Sequence, residues 1–137
     1  MTAAHMDAVL QLLEEFPHTL YVGQVPDQPS FPYAVIYMDT GRGGDLRLSG
    51  HTRRRTFDFQ ITSVGLTDTA VRIVADAASD LLLDRRPRVP GYSSGRIRHV
   101  TSVPVRPDTD VRDTETRLHP MFSVDTYSFR STPRESQ

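Results

Sequence analysis

Apolar residues recur at helical spacing near the start of the chain: Met6, Val9, Leu10, Leu13 and Phe16, with Leu12 on the flank. That spacing predicts a first helix over roughly residues 4–16, stopped by Pro17. Thr19 to Gln24 then reads as a short strand before a proline-rich loop, Pro26 to Pro32. Tyr33 to Asp39 is apolar on both faces, the pattern of a central strand. Gly41, Gly43, Gly44 and Gly50 mark residues 40–50 as a long flexible connection. From Arg53 to Val64 the pattern alternates, with Phe57, Phe59 and Ile61 on one side and Asp58, Gln60 and Thr62 on the other.

Gly65 closes that strand, and Thr67 is placed to cap a second helix, with Asp68 in a first turn where the helix dipole favours an anion. Ala70, Val71, Val74, Ala77, Ala78, Leu81 and Leu82 form its apolar stripe, and Asp84-Arg85-Arg86-Pro87 ends it. Ile97, His99, Thr101, Val103 and Val105 alternate as a further strand, which Pro104 assigns to an edge or a bulge. Phe122 and Val124, then Tyr127 and Phe129, change parity, which predicts a bulge near Asp125. Pro107 to Arg117 reads as a loop, and Ser131 to Gln137 as a disordered tail. The order α-β-β-β-α-β-β, with a small extra strand near Val89, predicts a single α+β domain over residues 1–130. Its two layers are a mostly antiparallel sheet of about 4–6 strands and two helices.

Composition narrows the function more than the fold. A chain of 137 residues closes one core, too small for a Rossmann enzyme with a substrate domain, a TIM barrel or an α/β-hydrolase. The 16 basic residues are all arginine, the 17 acidic ones are 13 Asp and 4 Glu, and the net charge is -1. That balance argues against a general nucleic-acid binder. Zero cysteines remove disulfides, thiolate zinc sites and thiol nucleophiles together. The N-terminus lacks a basic leader region, and the longest mostly apolar run, Tyr33 to Met38, is far shorter than the roughly 18 residues that cross a bilayer. A soluble protein with no membrane partner is expected.

Chemical motifs are few. Gly91-Tyr92-Ser93-Ser94-Gly95 fits G-x-S-x-G, but a nucleophile elbow needs a helix after the serine, and here a strand pattern follows. Gly41-Arg42-Gly43-Gly44 lacks the Gly-Lys-Ser/Thr of a phosphate loop. Asp108, Asp110 and Asp113 resemble the start of a calcium loop, yet Asp113 stands where glycine is required and His119 where a bidentate glutamate is required. The five histidines show no paired metal-ligand spacing and read as isolated surface or half-buried residues. No catalytic, cofactor or metal residue is assigned, and a binding or assembly domain outranks an enzyme.

Two charged features remain. Arg53-Arg54-Arg55 is the densest basic run, and Asp76, Asp80 and Asp84 recur at i,i+4 on the outer side of the second helix, where Leu83 also projects. An acidic row receiving arginines from a neighbouring copy is one reading; a solvated face is the plainer one. The candidate interface residues are Arg42, Arg47, Arg53, Arg55, Asp76, Asp80, Leu83, Asp84, Asp108 and Asp110.

The run from Val25-Pro26 to Phe31-Pro32-Tyr33-Ala34-Val35-Ile36-Tyr37 resembles the small tail terminator, or tail completion, proteins of long-tailed bacteriophages. So do Phe57 to Gly65 leading into Thr69-Ala70-Val71 and Ala75-Asp76, the Pro87 to Gly91 turn, Asp108-Thr109-Asp110 and the strand Val124 to Phe129. The similarity spans roughly residues 5–130 and lies in core strands and turns, so it transfers no site residue. It implies a homo-hexameric ring on the tail tube that stops tube growth and joins the tail to the head connector, at the tail–neck junction of the virion. Its partners would be other copies, the tail tube protein and a head-closure or connector protein, with double-stranded DNA passing through unspecifically. The alternatives are another neck component, a small hydrolase using Ser93, and a DNA-binding regulator.

Overall fold

The computed structural model describes residues 2–43 and 54–134. The chain runs α1 (Thr2–Leu12), β1 (Thr19–Val22), β2 (Tyr33–Met38), β3 (Arg42–Gly43), β4 (Arg55–Gly65), α2 (Asp68–Leu82), β5 (Tyr92–Ser94), β6 (Arg98–Pro107) and β7 (Met121–Pro133). The result is α+β as expected, with two helices on one face of a seven-stranded sheet. Two short strands, β3 and β5, enlarge the expected sheet. The extra strand foreseen near Val89 forms at Tyr92–Ser94, while Val89 itself is a buried plug.

The sheet is built on β7. One side of β7 pairs with β4 in unbroken antiparallel register, from Arg55 opposite Ser131 to Gly65 opposite Met121. Its other side is shared, β6 taking residues 121–128 and β5 taking residues 131–133. β4 is shared likewise, between β2 and β3. β1 lies parallel to β2 at the far edge, the exception in an otherwise antiparallel sheet.

Alternation places Phe57, Phe59 and Ile61 of β4, Tyr127 and Phe129 of β7, and Ala34 and Ile36 of β2 under the helices, where they pack with Val9, Leu13, Val74, Ala78 and Leu82. Burying an aromatic or large aliphatic side chain this way stabilises the fold by about 1.5–3 kcal/mol each. His5 of α1 belongs to the same layer. It is 1% exposed, stacks on Phe57 at 4.2 Å between ring centroids, and its Nε2 lies 2.7 Å from the Ser131 hydroxyl. The expectation of surface or half-buried histidines therefore fails at His5, which pins α1 to the end of β7.

Three boundaries differ from the sequence pattern. α1 ends at Leu12 rather than residue 16, because the backbone tightens there: the Leu13 N–H reaches Leu10 as well as Val9, and the Phe16 N–H reaches Leu13. No bulge interrupts β7 at Asp125. Phe122 packs on the opposite face of the sheet, in a second cluster with Tyr33, Val35 and Val64, and parity changes because the two ends of β7 bury opposite faces. The irregularities lie on β6 instead, between His99 and Thr101 and between Val103 and Arg106, around Pro104. Finally, residues 131–133 belong to β7, and the Arg134 N–H donates to the Gly91 carbonyl, so the tail expected from Ser131 is strand at its start; residues 135–137 lie outside the described residues.

Candidate subunit interface

α2 is set by its ends and its stripe. Thr67 Oγ1 accepts the Ala70 N–H, and Asp68 pairs with Arg72 one turn on. Burying Val71, Val74, Ala78 and Leu82 leaves Ile73, Asp76 and Asp80 on the outer side. Asp84 does not extend this row. The helix stops at Leu82, Leu83 leaves it in extended backbone, and Asp84 adopts φ 62°. There the Asp84 N–H donates to the Ile97 carbonyl at 3.0 Å, and the Ile97 N–H donates back to the Arg85 carbonyl at 2.8 Å. The outer face is thus Asp76 and Asp80 between two exposed apolar residues, Ile73 (53%) and Leu83 (41%). Among the described residues, no cation pairs with Asp76, Asp80 or Asp84.

The arginines expected to answer this row are placed otherwise. Arg42 is held by Asp58 across β3 and β4 through Nη1 and Nη2, so it is committed within its own chain. Burial alone would raise the Asp58 carboxyl, but hydrogen bonds from Arg42 and Ser128 and the Arg42 charge hold it below the ordinary aspartate range. Arg55 is half-buried opposite Ser131 at the helix-covered end of β7. Arg47 and Arg53 lie outside the described residues.

A different set converges. Arg85, Arg86, Arg88 and Arg134 line one cleft of about 750 Å³, together with Leu12, Val89, Tyr92, Ser93 and Ser94. Arg85 and Arg86 were visible in the sequence within the helix stop Asp84-Arg85-Arg86-Pro87, but Arg88 was not singled out. Arg134 was hidden because its neighbours read as tail; strand pairing of residues 131–133 with β5 brings it there.

Asp108 and Asp110 sit elsewhere, in a loop over the opposite face of the sheet. Asp108 Oδ1 accepts the Asp110 N–H, and the Asp113 carboxylate accepts both the backbone N–H and the hydroxyl of Thr116. These carboxylates fasten the loop rather than converge on a common point, and the Thr116 hydrogen bonds hold Asp113 below the usual carboxylate range. With the proline-rich loop, this segment flanks a groove of about 840 Å³ floored by Tyr33, Val35, Val64 and Phe122. Burial, then the neighbouring Tyr21, Tyr37 and Asp108, pushes the Tyr33 phenol up. Arg106 lies over the Phe122 ring at 5.4 Å.

Hydroxyl and imidazole groups form no nucleophile–base pair at the G-x-S-x-G motif. It forms edge strand β5 and leads to β6, not to a helix, leaving Ser93 exposed. A Ser–His–Asp cluster among the described residues, missed in the sequence because its members are 23 and 26 residues apart from Asp125, has the wrong order for acyl transfer. His99 Nε2 lies 3.0 Å and the Ser102 hydroxyl 2.8 Å from the same oxygen, Asp125 Oδ1, so no imidazole stands ready to take the serine proton. The cluster ties edge strand β6 to β7 beside Tyr127, whose phenol burial pushes up against a hydrogen bond with Ser79.

No protein-family model matches the chain, and no curated protein sequence matches it. Among solved structures it is similar to a chain in the virion of a native gene transfer agent particle. The alignment covers 98% of this chain and 95% of that one, at 14% identity and a TM-score of 0.57. The whole α+β architecture is therefore shared with a component of a virion.

Proposed function

We propose that this chain is a structural virion protein, a tail terminator that assembles as a hexameric ring on the end of the tail tube. In that role it stops tube polymerisation, joins the tail to the head connector, and lets double-stranded DNA pass without specific contact. The observation that carries the reading is the end-to-end fold likeness to a chain of a gene transfer agent virion, joined to the resemblance of its strands and turns to tail completion proteins. The surface fits a subunit that works by contact. Exposed apolar residues flank α2 carboxylates that have no cationic partner among the described residues, and arginines without an ion pair among those residues gather in a separate cleft. Different patches meeting copy to copy build rings, whereas one self-complementary patch builds a dimer. A chain of net charge -1 suits a channel that must release DNA.

Removal of the protein during particle assembly tests this. Over-long or headless tails are expected under the electron microscope. Normal tails attached to heads would overturn the proposal, and a ring located at the connector rather than at the tube end would reassign the protein to another neck position.

A further inference from the structure

We infer that the arginine cleft of one copy receives the α2 carboxylates of the next, an assignment that rests on the ring reading and names the contact that closes it. Arg85, Arg86, Arg88 and Arg134 are all exposed along one cleft, and among the described residues none of the four forms an ion pair. Like-charged guanidiniums gathered without an anion repel one another, and each offers a planar fork of donors suited to a carboxylate. Ser94, at the base of the cleft, is 8% exposed and its hydroxyl is buried, so the guanidiniums are what the cleft offers a partner. β5, on which Ser94 sits, is an edge strand paired only through β7. The cleft is a donor-rich surface lacking its acceptor.

The acceptor is on the same chain but not in the same place. Asp76 and Asp80 stand on the outer face of α2, with Asp84 just past its end, and none has a cationic partner among the described residues. Two oppositely charged groups of comparable number, each unanswered among the described residues, are answered when subunits meet. Leu83 and Ile73 supply the apolar contact that excludes water from the pairs. A phosphate backbone would suit the guanidiniums equally well. However, the chain carries net negative charge, so a long polyanion, whose charge extends well beyond the cleft, meets more repulsion than a row of two carboxylates does.

The absence of cysteine makes the contact directly readable. Asp80→Cys and Arg88→Cys placed in one full-length chain should, on oxidation of assembled particles, give a ladder of covalent oligomers ending at the closed ring. Dimers alone would mean a self-complementary contact, and no cross-link in particles that still carry rings would place the arginines elsewhere; either overturns the inference while sparing the ring reading. In the parallel charge test, Arg86→Glu with Arg88→Glu should weaken self-association by on the order of tenfold or more, as should Asp76→Arg with Asp80→Arg. The chain carrying all four changes should recover. Failure of that recovery, with each variant folded by circular dichroism, counts against the pairing. Salt-dependent binding of short duplex DNA, lost in the Arg86→Glu, Arg88→Glu chain while rings persist, would show the cleft to be a phosphate receiver instead. Particles in which the unmodified chain forms no ring would remove the ring reading and the inference together.

Discussion

On β4 the side chains from Phe57 to Ser63 alternate between two environments. Phe57, Phe59, Ile61 and Ser63 lie under the helices, while Thr56, Asp58, Gln60, Thr62 and Val64 point to the opposite side. The helix side is apolar throughout its centre. The opposite side is graded: polar pairs at one end, Asp58 opposite Ser128 and Gln60 opposite Thr126, give way to Thr62 opposite Val124 and Val64 opposite Phe122 at the other. The proline-rich loop and the Asp108 loop flank that apolar end. One face is closed by the chain's own helices, and the other is closed only where loops reach it. Stability is concentrated on the first face, and tolerance to change is expected on the second.

Phe129 and Phe122 test this within one strand, being the same residue type on opposite faces. Phe129→Ala should cost about 3–5 kcal/mol, since its ring is buried against Phe57 and Phe59. Chemical unfolding followed by circular dichroism would read the loss directly. Gly65→Ala comes next: a Cβ there would stand 2.8 Å from the Ala70 Cβ, and the backbone of α2 must shift to admit it. A loss of about 1–3 kcal/mol is expected from such overpacking. Phe122→Ala should cost only about 1–2 kcal/mol, because the ring is half-buried and part of its contact is with the exposed Arg106 side chain. Equal losses for Phe122 and Phe129 would break the contrast between the faces.

The smallest effect lies at the polar end of the open face. The folded state holds the Asp58 carboxyl below its ordinary value, so the Arg42 pair contributes stability above the unfolded aspartate pKa of about 3.9 and loses it as pH falls through the lower folded value. Arg42→Gln should therefore lower the urea midpoint slightly near neutral pH, with the difference from the parent shrinking below about pH 4. A difference that stays constant into acid would mean that Arg42 acts by covering surface rather than by charge.

These contrasts explain what the sequence revealed. α2 was legible in full because its cap, its stripe and its stop agree, and β4 because one clean period of two spans it. β3 was invisible and β5 was foreseen only as a small strand near Val89, since two or three residues carry no period and exist as strands only through their partners. β7 was half legible: its apolar residues were recognised, but opposite burial at its two ends imitated a bulge. The proposed interface was legible only on its acidic side. Asp76 and Asp80 follow from helical geometry, but the helix ends at Leu82, so Leu83 and Asp84 leave the row. The arginine cleft joins a helix stop to a strand end far along the chain, and no local pattern carries that proximity.

The dependence of the sheet on β7 also bears on synthesis. β4, β5 and β6 all hydrogen-bond to this last strand, which ends at Pro133. While the ribosome still holds it, β4 lacks one neighbour, β5 and β6 lack any, and the aromatic layer is open to water. The layer can close only once β7 is free to pair, and the slow step of folding is the docking of this strand against ones made earlier. A chain interrupted before β7 thus keeps its aromatic layer uncovered, however complete its helices are.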